Sequence, residues 1–288
     1  MSDDTVKYFN TLSTPSGIEC KLYEIPNREY VVLLKFLQGE DFTNFFNTLD
    51  QIISRSIPDI KNMNIIDKMY IYIAFYYYNI NPSIPITHPK LGPTGLDLGN
   101  VLNDIETVYV SNDKIFEITD KIQVAAHYAR DFYFEDGKPQ INYGTCVSKI
   151  KKEEWESISA AESEKLLDVL PTDKAMKIEM YTRNTLSAKI NVFNLPMMEP
   201  FYVDINSPEL IFFVYNIFKE NLQNYYSELY ISVQYLKMDK AGFDSLTPAE
   251  TSIILKIMAD DKEKQNQEAK KSGGMNIPSA AISDDVLF

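Results

Sequence analysis

Apolar and polar positions change period several times along the chain, and each change marks an element. Ile18, Cys20 and Leu22 alternate with Glu19 and Lys21, which predicts a half-buried strand over 18–23. Beyond the turn at Pro26-Asn27, the β-branched and aromatic run Tyr30–Leu37 predicts its hairpin partner. Residues 1–13 are polar and are expected to be loose until docked. The period then lengthens. Phe42, Phe45, Phe46, Leu49, Ile52 and Ile53 recur every three or four residues behind Asp41, the pattern of an amphipathic helix with an acidic cap. Asn64, with Asp67 three residues on, predicts a capping box for a second helix. The body of that helix is apolar or aromatic nearly all round, so it is buried in its own core or against a partner. The proline-rich stretch 81–95 reads as an irregular connection and a first boundary.

The middle section, 96–205, reads as richer in strands. A short helix over Leu96–Ile105 precedes two alternating runs in VYVSNDKIFEI, set around a Ser-Asn-Asp turn. KIQVAAHYARDFYF and INYGTCVSKI flank EDGKP, a second hairpin signal, and MKIEMYT and AKINVFNL flank RNTLS. Between them, Ser159 and Glu162 form a capping box for a helix that Pro171 ends.

The last third is helical. Ser207 caps a helix with Pro208 at its first position, and the apolar spacing continues to Leu236 with a break expected near Tyr225. Thr247-Pro248-Ala249-Glu250 opens another helix, apolar in its first two turns and charged afterwards. From Ser272 the chain reads as a Gly-containing linker and a flexible tail ending in Val286, Leu287 and Phe288. The predicted class is α+β. Its units are an N-terminal strand hairpin with helices (1–95), a strand-rich middle (96–205), a helical C-terminal part (206–271) and a tail (272–288).

Charge narrows the function. Lys and Arg number 28 against 41 Asp and Glu, a formal net charge of −13, and no basic cluster exceeds Lys149, Lys151 and Lys152. A nucleic-acid partner needs a basic footprint, so none is expected. The longest apolar run, Met69–Tyr78, is shorter than the ~20 residues of a membrane helix, and MSDDTVKYFN is no secretion signal. A soluble, acidic chain of intracellular origin is expected. Two cysteines, Cys20 and Cys146, and two histidines, His88 and His127, make neither a disulfide framework nor a metal site.

The search for chemistry is nearly empty. Phosphate-loop, dinucleotide, G-x-S-x-G and H-E-x-x-H motifs are absent, and the glycines Gly92, Gly95 and Gly99 lack a following lysine. The Glu153/Glu154 and Asp260/Asp261 pairs sit in charge-rich stretches and read as solvated faces. A cryptic site around His127, Asp131 and Cys146, with Ser148 nearby, is the enzymatic alternative, set against a structural histidine as the commoner outcome. No catalytic, cofactor or metal residue is assigned. What stands out instead is apolar surface available to partners: the aromatic helix Tyr70–Tyr78, the Phe212–Tyr230 segment, and the tail. Phe212, Phe213, Tyr215, Val286, Leu287 and Phe288 are the candidate contact residues.

The order of elements resembles a known family. TPSG (Thr14–Gly17) precedes the predicted strands, YVVLLKFLQGED runs into an apolar helix, NIIDKMYIYIAFYYY forms a helix entered by an Asp-Lys pair, and LTPAE opens a late charged helix. This order is similar to that of the baseplate hub and hub-assembly proteins of contractile-tailed (T-even-type) bacteriophages. The similarity covers about the first 90 residues and the last 40, not the middle. Some relatives carry cysteine pairs after the second helix, and Asn79–Pro93 has none. The resemblance implies a non-enzymatic structural or assembly component with no cofactor and with other baseplate or tail proteins as partners, a hetero-oligomer among its possible states. It implies host cytoplasm during assembly and the virion baseplate as destination. A transient tail-assembly chaperone, absent from the finished particle, is the further alternative.

Overall fold

The structure, a computed structural model, describes residues 8–88, 92–192, 201–219 and 222–271. It is α+β. Strands β1 (Tyr8–Ser13) and β2 (Glu19–Tyr23) form the N-terminal hairpin, with Leu12 opposite Cys20. The hairpin therefore uses part of the segment expected to be loose, and its turn is TPSG. Thr14 accepts from Gly17 N–H at 2.8 Å, and Gly17 takes φ +85°, where a side chain would be strained. Ser16 N–H donates to Asp67 Oδ1 at 3.1 Å, which ties this turn to the core helix.

The run Tyr30–Leu37 is not a strand. It lies in helix α1 (Asn27–Gln38), which buries Tyr30, Leu33, Leu34 and Leu37. Those four recur at helical spacing, and burying that stripe overrides the strand preference of Val31 and Val32. Helix α2 (Phe42–Ile53) forms as predicted, with the Asp41 carboxylate accepting from Asn44 N–H at 3.1 Å. Helix α3 (Ile65–Asn79) starts at Asn64, whose side-chain oxygen accepts from Ile66 and Asp67 N–H. It is buried along almost its whole length, so its aromatic character serves this chain's own core. Its Tyr72 joins Phe45, Phe46, Phe132, Phe134, Tyr215 and Phe218 in a set of ring pairs at centroid distances of 5.0–5.8 Å. Offset and edge-to-face pairs of this kind add to the apolar burial.

The proline-rich stretch is ordered, not irregular, over most of its length. Strands β3 (Ser83–His88) and β4 (Gly92–Asp97) pair antiparallel, Pro85 opposite Gly95 and Thr87 opposite Pro93. A two-stranded ribbon leaves each strand an unpaired edge, which is where proline's missing N–H is harmless. Helix α4 (Leu98–Val108) follows, extending past the predicted Ile105. The first of the two runs in VYVSNDKIFEI, Val108-Tyr109-Val110, forms no strand. It closes α4, and the Tyr109 ring packs on His127 and Tyr128. The second run is strand β5 (Lys114–Thr119).

KIQVAAHYARDFYF divides into β6 (Ile122–Ala126) and β7 (Asp131–Glu135). The EDGKP signal is a two-residue hairpin from β7 to β8 (Lys138–Asn142), with Asp136 and Gly137 at φ 48° and 72°. Two positive φ values match the primed turn that suits strand twist. Strands β9 (Val147–Lys151) and β10 (Trp155–Ser157) complete a four-stranded sheet in the order β10-β9-β6-β5. Helix α5 (Ala160–Val169) has both bonds of the predicted capping box. MKIEMYT is helical, within α6 (Thr172–Thr185). Its alternation also places Ile178 and Thr182 four residues apart, and these are the two it buries, while Met176 and Met180 face outward. Of AKINVFNL, Lys189–Asn191 form β11, paired with β12 (Tyr202–Asp204). Residues 193–200 lie outside the described residues.

Helix α7 (Pro208–Ile217) begins at Ser207, as expected. The break falls before Tyr225, because α8 (Leu222–Tyr235) already carries that residue and buries it. A short α9 (Lys240–Ser245) leads to α10 (Pro248–Lys271). One large cluster gathers core residues from Leu12 through Phe243. A smaller one, Val124, Ala126, Cys146, Val147, Leu167 and Ile178, lies between the four-stranded sheet and α5 and α6.

Candidate functional site

The residues first suspected of chemistry are built into the frame. The His127 ring is buried, lies edge-on to Tyr109 and Tyr128, and its Nε2 is 2.6 Å from Val110 O. A carbonyl only accepts, so Nε2 carries the proton and donates. Cys146 is buried beside Thr182, and burial pushes its thiol up to about 11, the opposite of an activated nucleophile. Backbone joins the two, His127 N–H to Cys146 O at 2.9 Å, but the imidazole is engaged with Val110. Asp131 faces the Lys68 ammonium at 3.6 Å. Ser148 Oγ donates to Ala125 O at 3.1 Å. Gly99 sits at the start of α4, where Asp97 Oδ1 accepts its N–H at 2.8 Å, so an acid already holds that helix end. Among the described residues, no group of three His, Cys, Asp or Glu is placed to hold a metal, and no helix is long and apolar enough to cross a membrane.

Burial pushes His127 below the ordinary histidine range, because the cation loses its water; the bond to Val110 and the charges of Asp113 and Asp67 oppose this. The folded state therefore takes up this proton less readily than the unfolded chain. The contribution of His127 is whole above about pH 6.5 and is lost as pH falls from there through the folded-state value, at up to about 1.4 kcal/mol per pH unit. Half-buried Asp50 and buried Asp67 are pushed up by desolvation and act in the opposite sense. Urea midpoints of the wild type and His127→Gln, compared from pH 7.5 to 5.5, separate the two. The wild type is expected to lose its advantage on acidification; a pH-independent difference rejects the assignment.

A buried polar cluster went unnoticed in the sequence. Lys68 Nζ donates to Arg130 O at 2.6 Å, and desolvation holds the ammonium below the ordinary lysine range. Tyr72 donates to Asp50, which is half-buried. The Arg130 guanidinium donates to Thr145 O (3.0 Å), Val147 O (2.5 Å), Ile158 O (2.6 Å) and Ser159 O (3.0 Å). These bonds are all internal, and the cluster joins α3 to the β7–β9 region rather than opening to a ligand.

Among the described residues, α8 and α10 leave apolar side chains on their outer sides, as α7 does at Phe212. The inner sides of these helices are fixed. Tyr225 packs edge-on against Phe243 at 5.4 Å, and its hydroxyl donates to Asp244. Thr247 and Glu250 exchange the two bonds of a capping box at the start of α10. Asn27 clamps the junction: its side chain donates to Phe243 O (3.0 Å) and Thr251 Oγ1 (2.8 Å), and its N–H to Leu246 O (2.7 Å). With those sides anchored, Tyr226, Tyr230, Val233 and Tyr235 on α8 and Ile253 and Ile257 on α10 are left exposed, Tyr230 by 61% and Ile253 by 59%. Between the helices, Leu236, Ile254, Ile257, Met258, Asp261, Lys262 and Gln265 line a groove of about 380 Å³. The Lys262 ammonium lies 3.9 Å from the Tyr235 ring centroid.

Of the candidate contact residues, Phe212 is exposed by 47% on α7 and Phe213 is half-buried. Tyr215 is buried, with its hydroxyl donating to Leu37 O at 3.2 Å, and serves the core. Val286, Leu287 and Phe288 lie outside the described residues. Tyr226 and Tyr230 fall within the Phe212–Tyr230 segment singled out in the sequence, whereas Val233, Tyr235, Ile253 and Ile257 were not picked out, although Tyr226, Tyr230 and Val233 recur at four and three residues and Ile253 and Ile257 at four. That spacing finds an apolar stripe but not which stripe stays uncovered. Comparison with protein-family models, curated proteins and solved structures finds no match to this chain.

Proposed function

We propose that this chain is a non-enzymatic structural or assembly component acting through protein–protein contacts, of the kind used in the baseplate hub of contractile-tailed phages. The interaction part is carried by one observation, the exposed tyrosines and isoleucines of α8 and α10 together with the apolar groove between the two helices. Isolated exposed apolar residues need no explanation, but several exposed tyrosines and isoleucines on two helices that share an apolar groove suit the centre of an interface. The baseplate part rests on the sequence resemblance, together with the absence of a motif for chemistry. The transient chaperone shares the same surface and differs only in whether the chain stays in the particle.

The test substitutes Tyr230→Asp and Ile257→Asp in the full chain. Both residues are exposed, so folding is expected to be kept, as read by circular dichroism. Association with tail baseplate proteins, measured by titration with the purified partners, is expected to fall about tenfold or more for each change. Unchanged association removes the face from the proposal. Mass spectrometry of purified particles that finds no trace of the chain removes the permanent hub subunit and leaves the chaperone.

A further inference from the structure

We propose that the α8–α10 groove is a peptide site whose occupant, in the free chain, is the chain's own segment 275–288, held in cis through Val286, Leu287 and Phe288. The inference rests on the reading of this face as the contact surface and assigns its regulation.

Reach comes first. The groove's α10 residues run from Ile254 to Gln265, and the segment outside the described residues starts one residue after Lys271. At about 1.5 Å per helical residue, Gln265 lies about 9 Å and Ile254 about 26 Å back along the axis from Lys271. Seventeen residues, 272–288, span up to about 56–61 Å when extended. An occupant lying back along α10 needs a turn soon after Lys271, and the sequence there, Ser272-Gly273-Gly274, offers two residues free of the Cβ penalty for positive φ. The apolar triplet then arrives over the groove with length to spare.

Chemistry comes second. The segment MNIPSAAISDDVLF has no basic residue and places Asp284 and Asp285 directly before the triplet. The groove is walled by Leu236, Ile254, Ile257 and Met258, with Lys262 at its edge. Asp261, the acid of the lining, is 3.9 Å from Lys264, while Lys262 is against Tyr235 and, among the described residues, pairs with no carboxylate. An acidic step followed by three apolar side chains fits one cation beside an apolar trough. Concentration comes third. A tether this short holds its own site at an effective concentration in the millimolar range, so even a weak contact in cis outcompetes the same peptide from another molecule. A partner that uses this face then displaces the segment first.

The probe is a fluorescein-labelled peptide of the 276–288 sequence, followed by anisotropy on full-length protein. It is titrated into the wild type, into a variant with Val286→Asp, Leu287→Asp and Phe288→Asp, and into that variant with Ile257→Asp added. The expected result is 1:1 binding to the triple variant, binding at least tenfold weaker to the wild type, and loss of binding when Ile257→Asp is added. Equal binding to wild type and triple variant means the native segment does not occupy the groove and overturns the proposal, as does a triple variant that binds nothing. Binding that survives Ile257→Asp places the peptide elsewhere and also overturns it. The solution mass of the wild type is read in parallel. A concentration-dependent oligomer that the peptide dissolves means the segment reaches a second copy, which overturns docking in cis. None of these readouts uses a tail protein, so failure here leaves the partner titration standing, and failure there leaves this one.

Discussion

Arg130→Met is expected to lower the free energy of unfolding by about 3–5 kcal/mol, read from urea denaturation at neutral pH. The side chain is buried and donates to four backbone carbonyls, those of Thr145, Val147, Ile158 and Ser159. Methionine matches much of its length but donates nothing, leaving those oxygens without their strongest partner in a place where little water enters. The backbone N–H of Arg130 also donates to Thr145 Oγ1 at 2.9 Å, and this bond survives any substitution that keeps the backbone in place. Arg130→Lys separates charge from geometry. A lysine keeps the positive charge but replaces a planar fork with one compact ammonium, which cannot reach carbonyls spread over Thr145–Val147 and Ile158–Ser159 together. Lysine is therefore expected to recover less than half of the loss. Full recovery by lysine would mean that charge, not the fork, holds this corner.

The second large effect is expected at Asn27. Asn27→Asp puts a carboxylate against two groups that now accept hydrogen bonds, Phe243 O and Thr251 Oγ1. The Thr251 hydroxyl is already committed as a donor to Thr247 O at 3.0 Å. A buried charge facing acceptors either stays ionised at high cost or takes up a proton, and a loss of about 3–5 kcal/mol is expected at pH 7. Asn27→Ala removes the donors without adding charge and is expected to cost about 2–3 kcal/mol. The two variants part on acidification. The aspartate variant regains stability as pH falls and the carboxyl is protonated, while the alanine variant does not. Identical pH profiles would show that the acid is not buried at this junction.

These two residues also mark where the sequence stops being readable. Helix ends with a local signal were legible: Asp41, Asn64, Ser159, Ser207 and Thr247 all cap the helices they were expected to open, because a cap acts on N–H groups two or three residues away. Segments whose pattern fits two periods were not. Tyr30–Leu37 and Met176–Thr182 carry apolar residues that satisfy a strand and a helix equally, and what each packs against decides the matter. Asn27 reads as a turn residue beside Pro26, and nothing near it reveals partners more than 200 positions away at Phe243 and Thr251. The same holds for the contact face. Each apolar stripe of α8 and α10 shows in the sequence, but the groove between them depends on tertiary contacts such as that of α1, whose Asn27 bonds Phe243 O and Thr251 Oγ1 at the start of α10.

The two thiols bear on how such a molecule can be handled. Cys20 and Cys146 are both buried, and desolvation raises both above the ordinary cysteine range, so at neutral pH neither is present as the reactive thiolate to a useful degree. The native chain is thus almost silent toward maleimides and iodoacetamides while folded. A cysteine introduced on the exposed side of α8 would carry a dye or spin label nearly alone, with no need to remove the natural pair.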